Sequence, residues 1–428
     1  MVNPNQENIS PELHAQSKHK IKIKQIDSHA REIIDSLNKL GYKAYLVGGC
    51  VRDLVLDKNP KDFDVVTDAT PEQINKAIPR SRIIGRRFKL VHVRKGRKIT
   101  EVSTFRSKGG KRTSKTNKGI VLRDNFYGTI REDAFRRDFT INSLYLDISD
   151  MKIIDYTGGF EDLNNRELSS IGDSKLRFRE DPIRIIRAIR FLCNLDLKLK
   201  PSLKKDLINF AHLLQEIPPA RRYEEILKLF LTGNAKNNFI ALLEFHILKF
   251  LLPITEKQCS NEKHKSFILN ALSNSDARVK RGLPLTPAFL FSVLLWSGLT
   301  ERIGEINSKK IKLPTLLRSS NIIIKQCRED CFIPKRIENM IKEIWEFQIK
   351  LLKFPPKSKL IFSHRRFRAG YDFLLLREES GVNLGGAGKW WKENQPNSKR
   401  SYQNKYCLLY TSDAADEGLG VDLGGRRI

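Results

Sequence analysis

The chain has 428 residues and carries 78 Lys and Arg against 49 Asp and Glu, a net charge of +29. That length supports more than one core, and the basic excess points to a polyanionic partner, nucleic acid before membrane. No apolar run reaches the ~18–20 residues of a membrane span, the polar N-terminus lacks a signal-peptide core, and the six cysteines are scattered, so a reduced, cytoplasmic protein is expected.

Residues 1–20 are expected to be disordered. Ile26, Ala30, Ile33, Ile34, Leu37 and Leu40 then recur at helical spacing, and Gly41 ends the helix, which is expected to pack under a sheet. The short apolar run Tyr45–Val47 ends in Gly48-Gly49. Arg52-Asp53 follow in an expected helix, then a turn at Asn59-Pro60 and a second strand carrying Asp62 and Asp64. On a strand these two carboxylates share one face while Phe63 and Val65 share the other. Neighbouring carboxylates repel, and a divalent cation between them relieves the repulsion. Paired glycines before a helix let backbone N–H groups approach a phosphate chain, and Arg52 adds a charged fork. A lone glycine pair is usually a turn and a lone Asp-x-Asp usually a solvated face. Together they read as a metal–triphosphate site, with glycines for phosphates and aspartates for Mg²⁺.

In this order, LVGGCVRD (46–53) and KDFDVVT (61–67) resemble the head domain of the class II nucleotidyltransferases of the polymerase-β type, the CCA-adding enzymes and bacterial poly(A) polymerases. The chain continues with a helix opened by Thr70-Pro71. The strand-rich segment Ile83–Val93 carries Arg86 and Arg87, and its GRRF stretch is similar to the signature that separates poly(A) polymerases from CCA-adding enzymes. In KITEVSTFR, Glu101 stands among apolar neighbours as edge decoration or a third carboxylate; the resemblance implies that it completes the carboxylate set. Ser107–Arg123 has six basic residues and no acidic one, and reads as a flexible basic loop able to touch primer phosphates.

RRDFTIN (136–142) matches the family motif near the sugar and phosphates of the incoming nucleotide, which implies roles for Arg137, Asp138 and Asn142. DYTGGFEDL (155–163) reads as a flexible coupling with a Gly158-Gly159 hinge. Asp181-Pro182 is a good helix start on local chemistry alone. The family's E-D-x-x-R motif gives Asp181 and Arg184, supported by Glu180, the reading of the base edge. Arg221 and Glu225 form an i,i+4 pair that the resemblance places behind the nucleotide-reading helix. From residue 231 the apolar spacing is helical throughout, with Trp296 and Trp345 expected in the core. His364–Ser380 and Lys389-Trp390-Trp391 resemble the C-terminal region of bacterial poly(A) polymerases; Arg365, Arg366 and Arg368 are expected to face RNA or to form a solvated basic helix face. From Cys407 the basic character vanishes, and 407–428 reads as a non-native, adapter-derived segment.

The expected fold class is α+β: a small mixed α/β nucleotidyltransferase head (21–165) followed by an all-α neck (166–230), body (231–330) and tail (331–400). The resemblance implies template-independent transfer of AMP from ATP to an RNA 3′-hydroxyl, with Asp62, Asp64 and Glu101 as catalytic carboxylates and two Mg²⁺ ions held by the aspartates. Gly48, Gly49 and Arg52 would hold phosphates, and single-stranded RNA 3′ ends would be the partner. A CCA-adding tRNA nucleotidyltransferase shares nearly all of these residues. A catalytically dead RNA-binding protein on the same scaffold is the alternative from another class.

Overall fold

The structure is a computed structural model that describes residues 10–85, 89–107, 126–307, 311–356 and 359–395. It divides into two compact units, one of residues 1–184 with 194–210, the other of 185–193 with 211–428.

The first unit is built on a mixed eight-stranded sheet in the order β1-β8-β7-β2-β3-β6-β5-β4. Its strands are β1 (Glu12–His14), β2 (Ala44–Val47), β3 (Val65–Thr67), β4 (Ser81–Ile84), β5 (Leu90–Lys95), β6 (Lys98–Thr104), β7 (Leu144–Asp147) and β8 (Lys152–Asp155). Only β3 and β6 run parallel, in the register Val65↔Val102, and every other pair is antiparallel. The helices of this unit are α1 (Gln16–His19), α2 (Ser28–Lys39), α3 (Gly49–Val55), α4 (Pro71–Ala77), α5 (Ile130–Arg136), α6 (Gly159–Asn164) and α7 (Ser174–Glu180). Helix α8 (Ile183–Leu195) gives its central turns to the second unit, and α9 (Pro201–Phe210) closes the first. A two-stranded pair, β9 (Glu167–Leu168) with β10 (Lys198–Leu199), precedes α9.

The helix expected over Ile26–Leu40 is α2, capped by the Asp27 carboxylate accepting from the Ala30 N–H, with Ala30, Ile33, Ile34 and Leu37 buried. The core on one side of the sheet gathers Val47, Val66, Phe105, Ala134 and Tyr145. Expected disorder over 1–20 does not hold where the chain is described. Glu12–His14 pair with Ile153–Asp155 as an edge strand, and the His14 ring stacks on Phe160 with centroids 4.1 Å apart. The Gly158-Gly159 segment is likewise no loose hinge. The Asp155 carboxylate accepts from the N–H groups of Thr157 (2.8 Å), Gly158 (3.0 Å) and Phe160 (2.9 Å), and Gly159 packs so closely that a Cβ there would collide with the Thr140 carbonyl.

Among the described residues the second unit is helical. It contains α10 (Pro219–Phe230), α11 (Ala235–Glu244), α12 (Leu248–Leu251), α13 (Pro253–Gln258), α14 (Glu262–Lys280), α15 (Pro287–Leu294) and α16 (Trp296–Ile303). The chain continues through α17 (Leu313–Asp330), α18 (Lys335–Leu351), α19 (Phe367–Glu379) and α20 (Ala387–Asn394). Trp296 and Trp345 are buried as expected, and the Trp345 indole N–H donates to the Ser292 carbonyl at 3.1 Å. Arg377 is fully buried; it meets Glu305 at 2.7 Å and lies over the Trp296 ring. The mixed-sheet unit and the helical unit together make the α+β class expected. No helix among the described residues is long and apolar enough to cross a membrane.

Candidate active site

Strand β2 delivers the chain to Gly48, whose φ of +76° belongs to glycine, and α3 begins at the next residue. The Gly48 N–H donates to Leu144 O at 3.2 Å and the Val47 N–H to Asp64 O at 3.1 Å, so the glycine loop lies directly beside Asp64. Asp62 and Asp64 are not on a strand: β3 begins at Val65. The reason is local. Its partner β2 ends at Val47, where Gly48 turns away, so the ladder stops before residue 64 can join it fully.

The parallel register Val65↔Val102 sets Asp64 next to Glu101. Asp64 is open to solvent on one side, yet its carboxyl is pushed up to about 6, first by burial and then by the Glu101 and Asp62 carboxylates, with Arg137 opposing. Glu101 stands across the β5–β6 ladder from His92, with Nε2 and Oε1 3.4 Å apart. Among the described residues no three His, Cys, Asp or Glu side chains form a group that could hold a metal ion as they stand. The donor chemistry nevertheless suits a hard divalent cation: Glu101 and Asp62 lie close enough to Asp64 for their charges to add to the rise that burial causes in its pKa.

Opposite the carboxylates stands a lattice of polar side chains. The Arg52 guanidinium donates to Asn142 Oδ1 at 2.7 Å and to Asp53 Oδ1 at 2.7 and 2.9 Å. The Asn142 amide donates to Asp138 Oδ1 at 3.3 Å. Arg137 is held from behind by Asp133, whose Oδ2 accepts from Nε at 3.1 Å and from the second terminal nitrogen at 2.8 Å. The Tyr145 hydroxyl donates to the same oxygen at 2.8 Å, and Arg137 lies over the Tyr145 ring. The other terminal nitrogen, Nη1, donates to the Asn142 carbonyl at 3.5 Å and faces the glycine loop, where a Cβ on Gly48 would lie 3.4 Å from it. Burial opposes the charge on Asp133, but Arg137 and Arg136 outweigh it and lower the carboxyl to about 2. Burial also opposes the Arg137 cation, and the Tyr145 and Asp133 oxygens more than offset that and raise its pKa. Burial pushes the Tyr145 phenol up.

Asp181 leaves α7 in an extended conformation and accepts from the Ile183 N–H at 3.3 Å, which starts α8 as the Asp-Pro chemistry predicts. Arg184 donates to Glu180 Oε2 at 3.0 Å and to the Arg177 carbonyl at 2.7 Å. Arg177 is 3% exposed, reaches Glu180 at 2.8 Å, and donates to the backbone carbonyls of Arg136 (2.6 Å) and Arg137.

Gly48, Gly49, Arg52, Asp62, Asp64, Glu101, Arg137, Asp138 and Asn142 therefore gather around the central strands, past the end of β2 and before the starts of β3 and β7, with Glu101 on β6. Arg221 and Glu225 lie on α10 in the second unit, where Glu225 is buried and pairs with Lys228 at 2.8 Å and Arg190 at 3.6 Å. Asp133, Tyr145 and Arg177 were missed. The signal available for Asp133 was its i,i+3 and i,i+4 spacing to Arg136 and Arg137; Tyr145 and Arg177 gave none. Arg86, Arg87, most of the basic loop 107–123 and the segment 407–428 lie outside the described residues.

Family models match in three places: "Poly A polymerase head domain" at residues 44–169, "Probable RNA and SrmB- binding site of polymerase A" at 196–259, and "Polymerase A arginine-rich C-terminus" at 309–415. The last reaches into the segment read as foreign. The chain is 39% identical over 392 residues to Poly(A) polymerase I of Salmonella typhi and to that of Escherichia coli O157:H7, covering 88% of this chain and 84% of each relative. It is 34% identical to the CCA-adding enzyme of Bacillus pumilus over 403 residues, 92% of this chain and 96% of that one. Among solved structures, a CCA-adding enzyme in complex with ATP matches at TM-score 0.59 and 19% identity, covering 96% and 90% of the two chains. A tRNA-processing enzyme in an apo form matches at 0.58 and 21%, covering 92% and 97%. Both likenesses are of fold.

Proposed function

The chain belongs to the family of bacterial poly(A) polymerases and CCA-adding nucleotidyltransferases, and from that premise we propose that it extends RNA 3′ ends without a template by transferring AMP from ATP. The observation that carries the reading is the convergence at the ends of the central strands of an open carboxylate set, a positive-φ glycine loop and a braced pair of guanidinium groups. The 39% identity to Poly(A) polymerase I supports adenylate addition in particular.

In this reading Gly48, Gly49, Arg52 and Arg137 grip the triphosphate, with Arg137 presenting Nη1 because Asp133 occupies its other side. Asp138 and Asn142 offer the acceptor and donor that ribose hydroxyls require. Asp181 and Arg184, with Glu180 behind them, address the adenine edge. Asp62, Asp64 and Glu101 would hold Mg²⁺, two ions in the family pattern, which when bound supplies charge neutralisation at the reacting phosphate and activation of the primer hydroxyl. The 3′-oxygen forms a bond to the α-phosphorus, the bond from that phosphorus to the bridging oxygen breaks, and pyrophosphate leaves. Catalysis by these side chains is positioning and electrostatics; no covalent nucleophile is needed.

The +29 charge supports attraction of single-stranded RNA to the chain. We retain 21–165 as the catalytic head and the helical regions after it as neck, body and tail, in a cytoplasmic enzyme. The rival reading, CCA addition to tRNA, is favoured by the 34% identity over 92% of the chain. The test is incubation of the purified protein with ATP, Mg²⁺ and an unstructured RNA primer. Primer lengthening with pyrophosphate release is expected; neither appearing would overturn the reading.

A further inference from the structure

We propose that Arg177 is a positioning residue that fixes the distance between the base-reading corner and the sugar–phosphate grip, and thereby sets preference for a purine over a pyrimidine nucleotide. This rests on the assignment of Asp181 and Arg184 to the base and of Arg137, Asp138 and Asn142 to sugar and phosphates.

The geometry is a two-sided clasp. On one side, the Arg177 carbonyl accepts from the Asp181 N–H at 3.2 Å and from Arg184 Nη1 at 2.7 Å, so both base-addressing residues hang on this one peptide group. On the other side, its guanidinium donates to the Arg136 and Arg137 carbonyls, which immediately precede Asp138. The third contact, to Glu180 Oε2 at 2.8 Å, meets the same oxygen that Arg184 reaches at 3.0 Å. The clasp is desolvated: Arg177 is 3% exposed and its Nε is buried without a hydrogen-bond partner. A buried guanidinium with one nitrogen unsatisfied is costly. Burial and the neighbouring Arg184 cation both lower its pKa, which marks the same cost.

The chemical consequence follows from nucleotide shape. Adenine and cytosine each present an amino donor beside a ring-nitrogen acceptor. The purine presents them farther from the ribose because its second ring intervenes. Residues that read only the donor–acceptor pattern therefore accept both bases, whereas residues held at a fixed distance from the sugar grip accept one. Arg177 joins the two sets through one buried side chain whose planar fork is held by the carbonyls of Arg136 and Arg137 and by Glu180.

The test measures kcat/KM for ATP and for CTP on one unstructured RNA primer, with melting temperature recorded for each variant. Arg177→Met removes every donor; Arg177→Lys keeps the charge and can still reach the carbonyls. The expected result is a fall of about tenfold in the ATP:CTP efficiency ratio for Arg177→Met, the size of one lost charge-assisted hydrogen bond, with partial recovery in Arg177→Lys. Should Arg177→Met fail to fold, Glu180→Gln serves as the second variant. The Glu180 side chain is 47% exposed, so the fold tolerates the change, and the ratio should fall there too. ATP and CTP efficiencies that drop by the same factor, leaving the ratio within twofold of the parent in Arg177→Met, or in Glu180→Gln where Arg177→Met does not fold, would overturn the inference. Loss of all ATP-dependent extension in the parent protein would instead overturn the functional reading beneath it.

Discussion

Replacing Asp133 by Asn should uncouple Arg137 from its support, and the structure sets the size of the effect. The Asp133 carboxyl is 1% exposed and accepts from Arg137 twice, from Arg136 and from Tyr145. In spite of burial, Arg137 and Arg136 hold its pKa at about 2 against an ordinary 3.8, which corresponds to about 2 kcal/mol. Because the folded value lies below the unfolded one, this stabilisation is fully present above about pH 3.8 and is lost as pH falls towards 2. The Asn variant goes further, because it leaves the guanidinium poorly solvated without a counter-charge, a loss of about 3–5 kcal/mol. Urea unfolding at pH 7 should therefore show the variant destabilised by about 3 kcal/mol. The acid limb of the parent's stability curve between pH 4 and 2 should be flattened in the variant. The KM for ATP should rise more than kcat falls, since Arg137 no longer presents Nη1 at Gly48. A variant within 0.5 kcal/mol of the parent and with an unchanged KM would refute the claim that Asp133 braces the phosphate grip.

Other outcomes follow from the same geometry. Asp64→Ala should abolish nucleotide addition while the melting temperature holds or rises, because the carboxyl is crowded by like charges rather than paired; full turnover in that variant would remove Asp64 from the mechanism. Gly159→Ala forces a methyl against the Thr140 carbonyl and should cost about 1–3 kcal/mol, whereas a flexible hinge at this position would tolerate it without change. RNA affinity should fall with salt at a log–log slope of about −0.7 for each phosphate neutralised, and a flat plot would rule out the electrostatic account of RNA attraction.

The parts of this site legible in the sequence were those fixed by local backbone chemistry. Gly48-Gly49 between the apolar run Tyr45–Val47 and Arg52 marks a strand-to-helix turn, and Asp181-Pro182 marks a helix start; the structure has both. Asp62 and Asp64 were read onto a strand because Val65–Thr67 are strongly strand-forming, but strand length depends on a partner. Here the partner leaves at Gly48, a tertiary fact that no pattern within residues 61–67 contains. The edge strand Glu12–His14 is too short to show alternation and exists because β8 offers it a ladder. Gly158-Gly159 looked loose for want of side chains, yet Asp155 three residues earlier supplies the carboxylate that locks the turn. Asp133 reads as ordinary first-turn acid in a capped helix. Arg177 reads as one more cation in a basic chain, and its role depends on carbonyls some forty residues away in sequence.

The most direct test of the central claim offers the purified protein each nucleoside triphosphate separately and in combination, with Mg²⁺, on two primers: an unstructured oligo(A) and a tRNA lacking its terminal CCA. Long, continuing adenylate tails from ATP on the unstructured primer, with CTP used poorly on both, are the predicted result. Addition of two C and one A to the truncated tRNA that then stops, with no long tails on other RNA, would contradict it and make the chain a CCA-adding enzyme.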